Sequence, residues 1–153
     1  HMIRLIDHQK HSIAEEMLEI QLPAYRKEAE IIGFEGIPQL KETIEDIKVS
    51  KEIFIGKYHM EKLLGFISYE YEGDVLNICR LVVHPIYFRK GIASELLQHV
   101  LSATPKAVSI IVSTGAKNLP ALALYERHHF YKLHDIEVEP TIFITQLKYN
   151  SQI

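Results

Sequence analysis

The chain of 153 residues is predicted to be an α/β (α+β) protein, with a mixed, mostly antiparallel central sheet of about seven strands flanked by helices. Three observations carry this. Apolar, β-rich runs at 53–58, 63–71 and 76–83 follow one another across short turns, the signature of antiparallel neighbours. A strand, an amphipathic helix and a second strand then follow in order at 76–83, 92–101 and 107–112, which requires a crossover and a parallel pairing. Two further β-rich runs, 131–138 and 141–149, close the chain around Pro140.

Taken in order, Ile3-Arg4-Leu5-Ile6 alternates apolar and polar residues and suits a short strand. A helix is predicted from an N-cap at Ser12, with Glu15 three residues on, through Ile13, Met17, Leu18 and Leu22 until Pro23 ends it. A second helix is expected over 24–32, broken by Gly33-Phe34-Glu35-Gly36-Ile37-Pro38, and Leu40, Ile44 and Ile47 continue as a third amphipathic segment. The turn at His59-Met60-Glu61-Lys62 joins the first two strands of the meander, and Gly73-Asp74 leads into the third. A last helix is predicted over 118–129, and residues 151–153 read as a loose tail.

The centre of the chain carries the chemistry. Cys79, Leu81, Val82 and Val83 form a buried strand that His84-Pro85 stops, because proline cannot donate to a ladder. After a basic turn, Ile92, Ala93, Leu96, Leu97, Val100 and Leu101 recur at helical spacing. Phe88-Arg89-Lys90-Gly91-Ile92-Ala93 therefore lies at a helix start, where backbone N–H groups have no intrahelical partner and the dipole favours an anion. A glycine there lets a ligand approach the main chain. This predicts a cradle for phosphate or pyrophosphate.

Composition bounds the alternatives. With 47% hydrophobic residues the chain can bury one sizeable core, so 1–153 is read as a single domain. The net charge of −3 gives no global attraction to nucleic acid or to an anionic membrane. Cys79 is the lone cysteine, so no intramolecular disulfide forms, and no charged-then-apolar leader or long apolar span is seen. A soluble cytoplasmic protein is expected. His1-Met2 reads as a tag remnant and His1 is set aside.

Two segments, LVVHPIYFRKGIASELL (81–97) and NLPALALYERHHF (118–130), resemble the signatures of the GCN5-related N-acetyltransferase (GNAT) superfamily. The first is similar to the acetyl-CoA pyrophosphate loop, Q/R-x-x-G-x-G/A; the second to the segment whose asparagine and tyrosine approach the pantetheine and the sulfur. A glycine-rich turn alone is weak, but its place between strand and helix, with N-x-x-A-x-x-x-Y-E downstream, makes a joint signal. The resemblance implies a sheet splayed between its central parallel pair, the cofactor entering the gap. It implies that the backbones of Leu81, Val82 and Val83 line the acetyl and pantetheine part of acetyl-CoA. A bulge in that strand would free an N–H near Val83 to polarise the thioester carbonyl. Phe88, Arg89, Lys90, Gly91, Ile92, Ala93 and Ser94 would hold the pyrophosphate, Asn118 the pantetheine, and Tyr125 would protonate the CoA thiolate. Three residues depart from the pattern: Phe88 for Gln or Arg, His129 for a glycine, and Asn77 where some relatives carry a catalytic glutamate.

Each residue also has a plainer reading. Asn118 is a natural N-cap ahead of Pro120, and Tyr125 shares an apolar face with Ala121, Leu122 and Leu124, where tyrosine is more often core than catalyst. Arg89 and Lys90 can be solvated charges, and Cys79 a small buried hydrophobe. His128 and His129 are adjacent and cannot form an i, i+4 metal pair, so no metal is expected.

The expected function is acetyl transfer from acetyl-CoA to a primary amine, on a small molecule or a protein, by direct transfer in a ternary complex. The alternative is a non-catalytic acyl-CoA-binding sensor or regulatory module. Because alkyl amines are protonated at neutral pH, a base is required. Glu70 and Glu72 are the nearest candidates in sequence, with Glu19 and Tyr25 further off. By the resemblance, segments 21–40 and 138–143 set the acceptor, and the first is mixed in charge. Exposed edge strands near the C-terminus leave room for a homodimer.

Overall fold

The structure, a computed structural model, describes residues 2–151; His1 and the last two tail residues lie outside the described residues. Strands β1 (Met2–Leu5), β2 (Ile53–His59), β3 (Lys62–Glu72), β4 (Val75–Val83), β5 (Ser109–Gly115), β6 (Phe130–Glu139) and β7 (Ile142–Tyr149) form one sheet in the order β1-β2-β3-β4-β5-β7-β6. The β4–β5 pair is parallel and the other pairs are antiparallel, as the strand order in the sequence requires. Helices α1 (His11–Ile32) and α2 (Ile44–Val49) cover one face, and α3 (Ile92–Ala103) and α4 (Leu119–Arg127) the other.

The helix predicted to stop at Pro23 does not stop: α1 runs through it to Gly33, which caps it at φ +66°. A mid-helix proline forfeits one hydrogen bond, typically about 3 kcal/mol. Ala14, Met17, Ile20 and Gln21 before it and Tyr25, Ala29 and Ile32 after it are all buried, so packing along the whole face holds the helix together. Ser12 is not its N-cap; Lys10 takes that position without a side-chain bond. The third amphipathic segment becomes a 3₁₀ turn over Pro38–Lys41 and then α2, which opens on a capping box between Thr43 and Asp46.

Two apolar layers flank the sheet. Met17, Ile47, Phe54 and Phe66 lie under α1 and α2, and Ile67, Leu76, Leu96, Leu97 and Leu147 lie under α3 and α4. β4 contributes to both because of a bulge. Ser68 pairs with Arg80 but Tyr69 pairs with Ile78, so Cys79 is the extra residue. Before it, Leu76 and Ile78 point to the α3 face; after it, Arg80 and Val82 point to α1 while Leu81 and Val83 take the α3 side.

The predicted splay is present. β4 and β5 are paired only from Val75↔Ser109 to Ile78↔Val112, after which β5 follows β7 and β4 stays with β3. The split starts at the bulge.

Candidate active site

A groove of about 1010 Å³ fills the splay and runs out over the start of α3. Its walls come from the second half of α1, from β4 and β5, from the turn before α3, from α4 and from the β6–β7 turn.

At one end, β4 passes into His84-Pro85, where the His84 ring nitrogen accepts a hydrogen bond from Ile86 N–H at 3.2 Å and fixes the turn. Gly91 then precedes α3 at φ +78°, in the left-handed region that disfavours a side chain. A Cβ added at Gly91 would meet nothing within 4 Å, so this stretch of backbone faces open space. The first intrahelical bond of α3 is from Glu95 N–H to Gly91 C=O at 3.0 Å, which leaves the amides of Ile92, Ala93 and Ser94 without helical partners. Phe88, Arg89, Gly91, Ile92, Ala93 and Ser94 all line the groove, whereas Lys90 is exposed outside its lining. Arg89 itself is left-handed at φ +65°.

Along the middle, Leu81, Val82 and Val83 line the opened edge of β4. His84 N–H donates to Leu64 C=O on the β3 side at 3.2 Å. Alternation along the strand then turns the N–H groups of Val83 and Leu81 away from β3, into the splay.

At the other end stand Asn118 and Tyr125. Asn118 caps α4, its Oδ1 accepting from Ala121 N–H at 3.2 Å, and its Nδ2 donates to Glu28 Oε1 at 3.3 Å and Thr114 Oγ1 at 3.4 Å. Both the capping role and a place in the groove wall therefore hold. The Tyr125 ring packs edge-on against Phe130 at 5.3 Å in the core. Tyr125 is also one of the residues that line the groove, and among the described residues its hydroxyl bonds to no other side chain. Burial, and then the nearby Glu28 carboxylate, raise its pKa above the ordinary phenol value and keep it protonated.

His129, which stands where the family pattern has glycine, has φ +70°, so the backbone conformation that glycine would supply is kept. Cys79 is half-buried at the bulge, and its thiol is pushed up to about 12 by burial and by the carboxylates of Glu52 and Glu70.

The carboxylates expected nearest the chemistry are elsewhere. Glu70, Glu72 and Glu19 are exposed and do not line the groove, whereas Tyr25 does, with Glu28 one turn further along α1. In sequence, Glu28 reads only as part of the mixed-charge segment expected to set the acceptor. The signal was its spacing: Gln21, Tyr25, Glu28 and Ile32 fall at i, i+4, i+7 and i+11, on the inward stripe of α1. Among the described residues no group of His, Cys, Asp and Glu is arranged to hold a metal ion, and no helix is long and apolar enough to cross a membrane.

This architecture is shared with solved acetyltransferases. The ribosomal-protein-S18-alanine N-acetyltransferase of Escherichia coli is 17% identical with a TM-score of 0.75, over 97% of this chain and 92% of its own. The PaiA N-acetyltransferase of Thermoplasma acidophilum, solved in complex with coenzyme A, is 17% identical with a TM-score of 0.73, over 97% and 100%. In sequence, the UPF0157 protein YqkA of Bacillus subtilis (strain 168) is 45% identical over 144 residues, 94% of this chain. The chain spans only 42% of that relative's length. The pattern of the acetyltransferase (GNAT) family matches residues 12–130, nearly all of the helices and the strands from β2 to the first residue of β6, and the chain belongs to that family.

Proposed function

We propose that the chain is an acyl-CoA-dependent N-acetyltransferase that moves an acetyl group from acetyl-CoA to a primary amine by direct transfer, with 1–153 acting as one catalytic domain in the cytoplasm. The observation that carries this is the continuity of the groove: one cavity joins the unpartnered amides at the start of α3, the opened edge of β4 and Tyr125. A CoA thioester needs those three things, at its phosphates, its carbonyl and its sulfur, and the last two are bonded to each other. The complex of the PaiA neighbour with coenzyme A supports the same use of this fold.

In this reading the amides of Arg89 to Ser94 hold the pyrophosphate, with Arg89 adding charge and Phe88 an apolar edge. Asn118 serves the pantetheine end through its place in the groove wall. The N–H of Val83 or Leu81 is positioned to donate to the thioester oxygen as charge develops there, and Tyr125 to deliver a proton to the departing sulfur. The chain's contribution is alignment, oxyanion stabilisation and proton delivery.

Calorimetric titration with acetyl-CoA, CoA and ATP tests the donor site, followed by turnover with a panel of primary amines. Binding of both CoA species, with little response to ATP, is expected. Tight CoA binding with transfer to no amine would instead indicate a sensor. Tyr125→Phe should lower turnover about 10²-fold while acetyl-CoA affinity barely changes, since the ring that fills the core is kept and only the hydroxyl is lost. Cys79 takes no part: with its thiol pushed up to about 12 it carries almost no thiolate at neutral pH. Incubation with acetyl-CoA should leave no acetyl group on Cys79 by mass spectrometry, and Cys79→Ser should keep at least half of the wild-type rate; a competent acetyl-Cys79 would end the direct-transfer scheme.

A further inference from the structure

Three glutamates line the groove, and only one of them is secluded. Glu30 is largely exposed and faces Lys27 at 3.5 Å, and Glu139 is exposed at the end of β6. Glu28 is half-buried between α1 and α4. Among the described residues it forms no salt bridge, and the hydrogen bond it receives comes from the neutral amide of Asn118. A carboxylate withdrawn from water without a cationic partner costs free energy, which proteins tolerate where the charge is used.

We infer that the Glu28 carboxylate receives the ammonium group of the acceptor and removes its proton, so that it is the general base of the transfer. The inference rests on the acetyltransferase reading and adds to it the group that reading leaves unassigned. A primary amine reaches the groove as an ammonium ion. Glu28 attracts it, takes one N–H proton and holds it until the C–S bond has broken, then passes it to solvent. The freed lone pair forms the C–N bond to the thioester carbonyl carbon, the C–S bond breaks with its electron pair on sulfur, and Tyr125 protonates the sulfur. The second proton lost from nitrogen restores Tyr125. One amide, one thiol and one solvent proton result.

Burial raises the Glu28 carboxyl above its ordinary value, toward the range a base needs at neutral pH. Tyr25 and Tyr125 feel its charge directly, and the other ionisable groups of the groove lining are Lys27 and Glu30 on α1, Cys79 and Arg80 on β4, Tyr87 and Arg89 before α3, Arg127 on α4 and Glu139 on β6. The charge on Glu28 also helps hold Tyr125 protonated. While Glu28 still holds the amine's proton, which it gives up to solvent only after the C–S bond has broken, that field is gone, and Tyr125 is a better acid at the moment the sulfur needs one.

Glu28→Gln tests this, because the amide oxygen still accepts from Asn118 while the charge is lost. Acetyl-CoA, an alkyl diamine, an amino sugar and a peptide with a free N-terminus serve as probes. Expected are a fall in kcat/KM for the amine of at least about 10²-fold, loss of the bend on the acidic limb of the wild-type pH profile, and an unchanged Kd for acetyl-CoA. The Tm should not fall. A carboxyl whose folded pKa is raised binds more protons folded than unfolded, so it costs stability as pH rises, and the variant should gain on wild type as pH rises above the unfolded value of about 4.3. A variant with the wild-type rate and profile overturns the assignment of Glu28 alone. A variant that loses stability or acetyl-CoA affinity in proportion to rate also overturns it, in favour of a structural role. A wild-type protein that binds acetyl-CoA and acetylates none of the amines overturns the base and the transferase reading together.

Discussion

Gly91→Asp is expected to lower acetyl-CoA affinity by at least about 10²-fold while leaving the protein folded, and so to be the most damaging single change to the donor site. Two effects separate cleanly at this position. The left-handed backbone at φ +78° makes any side chain cost about 1 kcal/mol, as a strain that Gly91→Ala shares. The added Cβ meets nothing within 4 Å, so neither substitution clashes with the protein itself. What Gly91→Asp adds is a carboxylate at the mouth of the cradle formed by the amides of Ile92 to Ser94. One charge about 4 Å from a phosphate, at the effective dielectric of a partly exposed site, is repelled by roughly 4 kcal/mol, and each 1.4 kcal/mol is a factor of ten in affinity. Calorimetry on wild type, Gly91→Ala and Gly91→Asp should therefore give a ladder whose lower step shrinks in high salt. Equal affinity for all three would remove the pyrophosphate from this end of the groove.

Much of this arrangement is legible in the sequence. Period-two runs and the crossover around 92–101 give the sheet, its antiparallel first half and its parallel pair, because those patterns follow from which faces must be buried. The start of α3 was legible because unpartnered amides and a glycine are local properties of the chain. What was hidden is tertiary. Pro23 argues for a helix end by local rules, and only packing on both sides of it overrides them. The resemblance implies a bulge in this strand, but nothing in Val75–Val83 places it at Cys79. Yet that one residue decides that Arg80 turns toward α1 and that β4 parts from β5. Glu28 was hidden for the same reason: its chemistry depends on which wall of a groove α1 forms.

Arg80→Met should cost about 3–5 kcal/mol, because the arginine that the bulge turns inward is the counter-charge of a buried network. Arg80 is only 6% exposed. Its Nε and Nη2 donate to the two oxygens of Glu52 at 2.9 and 2.8 Å, Nη2 and Nη1 also reach Glu42, and Nη1 donates to Gln21 Oε1 at 2.8 Å. Gln21 Nε2 in turn donates to Glu42 Oε1 at 2.7 Å and Ser68 Oγ to Glu52. The network ties β4 and β3 to α1 and to the chain flanking α2, under the wall that carries Tyr25 and Glu28. Methionine fills the volume and strands two carboxylates, and at 2–4 °C per kcal/mol for a domain near this size the Tm should fall by roughly 6–20 °C.

The pH dependence distinguishes this from simple loss of packing. In the wild type, burial pushes Glu52 up, but hydrogen bonds from Arg80 and Ser68 outweigh it and hold the carboxyl below its ordinary value. That contribution is present above the unfolded value of about 4.3 and is lost as pH falls through the depressed folded value. With Arg80 gone, burial of Glu52 is opposed only by the hydroxyls of Ser68 and Ser50, its folded pKa rises, and acid should now restore stability as it protonates. Thermal melts of wild type and Arg80→Met between pH 4 and 8 should converge toward the acid end. Arg80→Met combined with Glu42→Gln and Glu52→Gln should recover most of the loss at neutral pH, since no stranded charge remains. Parallel melting curves at every pH, or a triple variant no better than the single one, would mean that shape rather than charge holds this wall in place.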